Sequence, residues 1–167
     1  MFEFIGTIDD SPYLCVPAAV KYREEVLGGE ARITEYIQSI AKRGAEIIAD
    51  KLGTEILDNE EGTLTKCALQ NIRLPIGTCT EGRFVAAREK EAGVEVVLVE
   101  AEKASALTHY LQQTMVQEFK TFIPVLLHRG NWYARISGQV YLDEDDFKFG
   151  AEVLLELVNK LRKGASF

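Results

Sequence analysis

Histidine and cysteine are scarce in this chain, and the scarcity excludes whole classes of site. Two histidines, His109 and His128, are too few for a histidine-rich metal centre. Cys15, Cys67 and Cys79 are odd in number and fit no metal-ligand spacing. They read as reduced, buried or incidental thiols, the usual state in the cytosol. No apolar run approaches the ~18–20 residues of a membrane span, and no signal-peptide pattern is visible. Positive charge is in deficit: a net charge of −7 and a pI near 5.0 argue against nucleic acid and anionic membrane as partners. Nucleophile elbows, phosphate loops, zinc patterns, repeats and low-complexity tracts are all missing.

What is present suits a protein with a real core. The 167 residues are 47% hydrophobic, enough for one globular domain or a compact domain with an appended arm. Asp10-Ser11-Pro12 is a helix start, and the helix it opens runs to the stop at Gly28-Gly29. A second helix spans about 30–52: Ile33, Ile37, Ile40, Ile47 and Ile48 recur at helical steps, and Gly53 ends it. Such a rod can span between two bodies or pack on one. Leu64–Ile76 alternates as a strand that Pro75 closes. Residues 78–93 read as a polar loop, and Val94–Glu100 is apolar but ambiguous. Ala101–Phe119 is helical with Leu107, Leu111, Met115 and Phe119 on one face. "TFIPVLLH" and "NWYARISGQVYL" form a hairpin around Arg129-Gly130, and a last helix runs from an Asp143 cap to Lys163 with Phe147, Leu154, Leu155 and Val158 inward. Strands and helices largely segregate. The expected fold class is therefore α+β, an antiparallel sheet covered by helices, with a helical arm over 1–52 and a small domain over 53–167.

Three places could carry chemistry. Alternation along 131–142 puts Tyr133, Arg135, Ser137, Gln139 and Tyr141 on one polar strand face. An arginine on a rigid strand among hydrogen-bonding neighbours can grip a carboxylate through its planar fork; equally, it can pair with an acid on a neighbouring helix. Gly6-Thr7 precedes a helix start, where a hydroxyl and backbone amides can receive a phosphate oxygen; ordinary turn chemistry explains the pair as well. His128 ends a strand near the polar face, placed either as a general acid or base or as a turn residue. The acidic run Asp143–Asp146 is accounted for by capping and the helix dipole.

Two of these segments, "FEFIGTIDDSPYLCVPAAVKYREEVLGGE" and "TFIPVLLHRGNWYARISGQVYLDEDDF", resemble the carboxy-terminal portion of class V aminotransferase-type enzymes that use pyridoxal 5′-phosphate. The nearest subgroup is that of isopenicillin N epimerase-like proteins and fungal cysteine-sulfoxide lyases. The resemblance implies a fold type I small domain, a homodimer, and a Gly-Thr loop whose threonine, here Thr7 beside Gly6, touches the cofactor phosphate of the neighbouring subunit. It implies that Arg135 holds the substrate α-carboxylate, with Ser137 and Gln139 in support, and leaves His128 and Tyr141 as candidate proton-transfer groups. The Schiff-base lysine belongs to a large domain that would precede Phe2, and Lys21, Lys42, Lys51 and Lys66 have no comparable setting.

Three functions follow as expectations. The first is a partial domain that binds a carboxylated, amino-acid-like molecule and needs a large-domain partner chain for cofactor chemistry. The second is a cofactor-independent enzyme of small-molecule metabolism that uses the same arginine. The third is a non-catalytic dimerisation module.

Overall fold

The computed structural model describes residues 11–80, 83–84 and 93–167. Two short helices come first, α1 (Ser11–Leu14) and α2 (Val16–Glu25), where one continuous helix is expected from the sequence. The break falls at Cys15, because Pro17 in the first turn of α2 has no N–H to continue the ladder from α1. None of the residues of α1 or α2 is buried. Gly28 and Gly29, at φ 84° and 89°, make the elbow that follows. An Arg23–Glu30 ion pair clasps it, with Nη2 2.6 Å from Oε2.

Helix α3 (Glu30–Leu52) packs on one body. Its buried stripe of Ile33, Ile40, Ala41, Gly44, Ala45, Ile48, Ala49 and Leu52 follows the 3.6-residue period. Gly53 ends it in the left-handed conformation at φ 66°, with its N–H returned to Ala49 and Asp50. The stripe lies on α5 (Glu144–Arg162) and the sheet. At Gly44 the two helices meet so closely that a Cβ would sit 2.4 Å from the Phe147 ring.

The sheet comprises β1 (Leu69–Thr80), β2 (Arg83–Phe84), β3 (Val97–Glu100), β4 (Val125–His128) and β5 (Asn131–Ser137). Its order is β2-β1-β5-β4, with β3 also on β1. The β1–β5, β4–β5 and β1–β2 pairs are antiparallel, whereas β1 and β3 run parallel, so the sheet is mixed and not purely antiparallel. Strand direction is invisible in an apolar run such as Val94–Val99, which is why the expectation failed. Pro75 does not close its strand. It sits in the register shift between Arg73 and Gly77, where a missing N–H is tolerated, and β1 continues to Thr80. Thr78–Thr80 and Arg83–Phe84 are therefore strand, inside a stretch whose composition suggests a loop; the rest of that stretch up to residue 92 lies outside the described residues.

The β4–β5 hairpin turns at Arg129 and Gly130, both at positive φ (48° and 81°), the conformation that a two-residue hairpin of the right twist requires. Beyond β5, Gly138 is buried against α3: a Cβ there would lie 1.9 Å from the Ile37 carbonyl oxygen. The strand stops at Ser137, and Gln139 to Leu142 form a turn closed by Leu142 N–H to Gln139 O at 3.1 Å. The alternation expected over 131–142 thus holds for its first half only.

One apolar core joins Ile48 and Leu52 of α3, Ile72, Leu74 and Ile76 of β1, Trp132 of β5, and Leu154 and Leu157 of α5. Helix α4 (Ala104–Phe119), which a 3-10 turn at Ala101–Lys103 precedes, adds Leu107, Leu111 and Met115. Trp132 is fully buried, and its indole N–H donates to Thr108 Oγ1 at 3.1 Å, tying β5 to α4. The Asp143 carboxylate accepts from the Asp145 and Asp146 amides, and Asp146 returns the bond to the Asp143 amide at 3.0 Å, a complete capping box. No described helix is long and apolar enough to cross a membrane.

Two stability tests follow. Gly138→Ala must displace backbone rather than a pliant side chain, and is expected to cost about 3 kcal/mol or more in urea unfolding. Asp143→Ala removes one cap and should cost about 1 kcal/mol.

Candidate functional site

The core helices lie on one face of the sheet, and the candidate site is on the other, where Arg135 is exposed and Tyr133 is buried. On β5, Trp132, Ala134 and Ile136 point into the core under α3, α4 and α5. Alternation sends Tyr133, Arg135 and Ser137 to the opposite face, where Tyr133 is buried, Arg135 exposed and Ser137 half-buried. Arg135 is exposed there, on a strand bonded on both sides. Among the described residues its guanidinium makes no ion pair or hydrogen bond. No acid of a described helix pairs with it, the alternative that the sequence left open. Ser137 is half-buried on the same row, two residues on.

Cross-strand partners complete the face. Register places Asn71 opposite Arg135, Arg73 opposite Tyr133 and Leu69 opposite Ser137. Arg73 is drawn down: its side chain is only 11% exposed, and Nε lies 3.8 Å from Glu55 Oε1. Burial raises the Tyr133 phenol above its ordinary range; the Arg73 cation works against this rise and the Glu55 carboxylate adds to it. His128 is exposed at the strand end, opposite Asn131, and its ring meets the Tyr133 ring edge-on at 6.3 Å. Arg135, Ser137 and His128 thus share one face, as the alternation of the two hairpin strands implies.

Gln139 and Tyr141 do not join them. Both are exposed in the turn beyond the strand, Tyr141 at 78%, on the side where Tyr36 Oη donates to Leu142 O at 2.7 Å. Gly6 and Thr7 lie outside the described residues. Asn71, Arg73 and Glu55 are the members that sequence reasoning missed. Alternation along β1 gives the face of Asn71 and Arg73, but only the register names their neighbours.

Two other places carry no comparable convergence. A groove of about 300 Å³ on the helical side is lined by His109, Gln112, Gln113, Val116, Gln117 and Phe122. Cys15 and Cys67 are exposed and Cys79 is half-buried, all unpaired as thiols.

The lysine that pyridoxal phosphate chemistry needs is not supplied by the described residues. Lys21, Lys42, Lys51 and Lys66 are exposed, Lys66 in a turn before β1 and not in a strand. Lys148 and Lys160 donate to the Asp145 and Glu118 carboxylates, which hold them above the usual ammonium range, the opposite of what a nucleophilic amine requires. These lysines do not fit the group.

One pH test comes from Tyr133. A phenol whose folded pKa is raised favours the folded state below the unfolded value near 10, and that contribution is lost as pH climbs through the folded value. Tyr133→Phe should remove a phenolate step above the normal range in an ultraviolet titration, and flatten the alkaline fall in stability.

No model of a known protein family matches the chain. Individual proteins do. The chain is 37% identical over 160 residues to the L-cysteine desulfhydrase-like protein lolT1 of Epichloe uncinata, covering 92% of this chain and 34% of that protein. It is 35% identical to lolT2 of the same organism, over 92% of this chain and 33% of that protein. With the hercynylcysteine sulfoxide lyase of Schizosaccharomyces pombe it shares 28% identity over 142 residues, 85% of this chain and 28% of that protein. The chain spans about a third of the length of the curated relatives it matches, and over nearly all of its own length it is similar to that third of desulfhydrase-like and sulfoxide lyase proteins.

Proposed function

We propose that this chain is the substrate-carboxylate part of a pyridoxal phosphate-dependent lyase-type enzyme acting on a sulfur-bearing amino acid of the cysteine type. The observation that carries the reading is Arg135: a cation without a described partner, on a central strand, at an open polar face of a protein with net charge −7. An unpaired arginine inside a strand ladder has little structural use, whereas its fork matches a carboxylate in two hydrogen bonds. The names of the relatives, and the third of their length that the chain matches, support the enzyme class.

In this reading the rest of the chemistry comes from a large-domain polypeptide, and the chain alone is not competent for it. Pyridoxal phosphate, held there, supplies the electron sink; Arg135 orients the amino acid by its carboxylate, and Ser137 adds a hydroxyl on the same row. Gly6 and Thr7 are proposed to meet the cofactor phosphate, with Gln139 in support of Arg135. His128 is the better-placed proton-transfer candidate, on the Arg135 face, and Tyr141 the more distant one. Self-association as a homodimer through residues 1–52 is also proposed. Tyr13, Leu14, Val16, Val20, Tyr22 and Val26 are all about half exposed or more along α1, α2 and the elbow, a surface that a partner would cover.

The experiment mixes this chain with the separately produced remainder of the lolT1 relative and pyridoxal phosphate, then follows the absorbance of bound cofactor and sulfide release from L-cysteine. Recovery of both only in the mixture is expected. Arg135→Ala should then lower kcat/KM by about a hundredfold, near 3 kcal/mol for charge-assisted bonds, with Arg135→Lys only partly restoring it. No absorbance in the mixture, or an unaffected Arg135→Ala, overturns the proposal.

A further inference from the structure

Asn71 and Arg135 face each other as a directly opposed pair on the antiparallel β1–β5 ladder. Their backbone groups look away from one another. The Arg135 N–H donates outward to Pro124 O at 2.9 Å, and Asn71 O accepts from Leu57 N–H at 2.8 Å on the far side of β1. This is the non-hydrogen-bonded kind of pair, in which side chains come closest, with Cβ atoms about 5 Å apart. Asn71 is half-buried, and its carboxamide makes no hydrogen bond among the described residues. Around the pair stand Arg73 and Tyr133 at one end, and at the other Ser137 with Leu69, 51% exposed. A polar amide and a cation that stand side by side on a sheet face, neither side chain hydrogen-bonded among the described residues, can donate to one shared acceptor.

We infer that Asn71 is a second anchor for the ligand carboxylate, donating from Nδ2 to an oxygen whose other lone pair is taken by the Arg135 fork. The inference rests on the reading of Arg135 as the carboxylate grip. A carboxylate has about four acceptor sites, of which the two-pronged arginine fills two. The amide comes from the neighbouring strand, so it approaches from the side and fixes the rotation of the carboxylate plane about the C–C bond. Leu69 then borders the end of the row away from Tyr133, where the apolar part of a small ligand would rest. The ligand class this selects is a small monocarboxylate with a short apolar substituent. A second acid is disfavoured on the other side, where Glu55 accompanies Arg73.

The test is a titration of the ¹⁵N-labelled chain with propionate and L-alanine, read on the Asn71 side-chain NH₂ and Arg135 Nε resonances. Both should move along one isotherm. Asn71→Ala and Asn71→Ser should each raise Kd about fivefold, the loss of one ordinary hydrogen bond. Asn71→Asp should raise it further, because its carboxylate repels the ligand and engages Arg135. A stationary Asn71 resonance, or an unchanged Kd in Asn71→Ser while Arg135→Ala abolishes binding, overturns the role of Asn71 and leaves that of Arg135 standing. Binding unaffected by Arg135→Ala, or no shift of either group in the unmutated chain, removes both. An unperturbed amide spectrum in each variant confirms that the fold is kept, and Asn71→Ser serves where the alanine variant loses it.

Discussion

Burial of Trp132 is the constraint on which the geometry depends. The indole has no exposed surface and gives its N–H to Thr108 Oγ1, so β5 has one acceptable register against α4. Slipping by one residue would put Tyr133 and Arg135 into the core and leave Trp132 and Ile136 in water. Burial of an unpaired guanidinium alone would cost more than the fold could sustain. The same packing that stabilises the core therefore dictates that Arg135 stands on the other face. Ser137 and the hairpin end carrying His128 follow from it without further specification.

The second constraint is the contact of Gly138 with α3. A side chain at 138 cannot coexist with the Ile37 carbonyl, so the strand ends where the helix crosses it. The polar row is thereby cut to Tyr133, Arg135 and Ser137, and Gln139 and Tyr141 are turned away beside α3. Helix α3 is thus more than a connector. It forms part of the core and sets the length of the strand that presents the arginine.

Most of the elements were legible because their signals are local. The Asp143 capping box, the Arg129-Gly130 hairpin and the isoleucine stripe of α3 each lie within a few residues of chain, and each appears in the structure. What the sequence hid depends on distant partners. Pro75 looks like a strand terminator until the bulge opposite Asn131 absorbs it. The apolar segment 94–100 gives no hint that it pairs parallel to β1. Arg135 was readable from its own strand, but Asn71 was not, since only the β1–β5 register makes a polar residue 64 positions earlier its neighbour. The end of the polar row was hidden for the same reason: Gly138 lies against a helix a hundred residues before it.

Two surfaces of the molecule are unfinished in the same sense. Helices of 4 and 10 residues are below the about 12–15 at which isolated helices hold in water, and α1 and α2 bury nothing. The Arg23–Glu30 clasp is solvent-exposed, and pairs of that kind add little to stability. Holding that segment helical therefore asks for apolar contact from outside the described core. On the proposed function the Arg135 face makes a complementary demand, for an anion rather than for apolar surface. A single partner that packs on α1–α2 while closing over the sheet would satisfy both, and would exclude water from around Arg135. That is where a charge-assisted carboxylate contact gains strength, because screening falls as solvent leaves. On this view the Arg135 face binds an anion more weakly in the isolated chain than beneath such a partner.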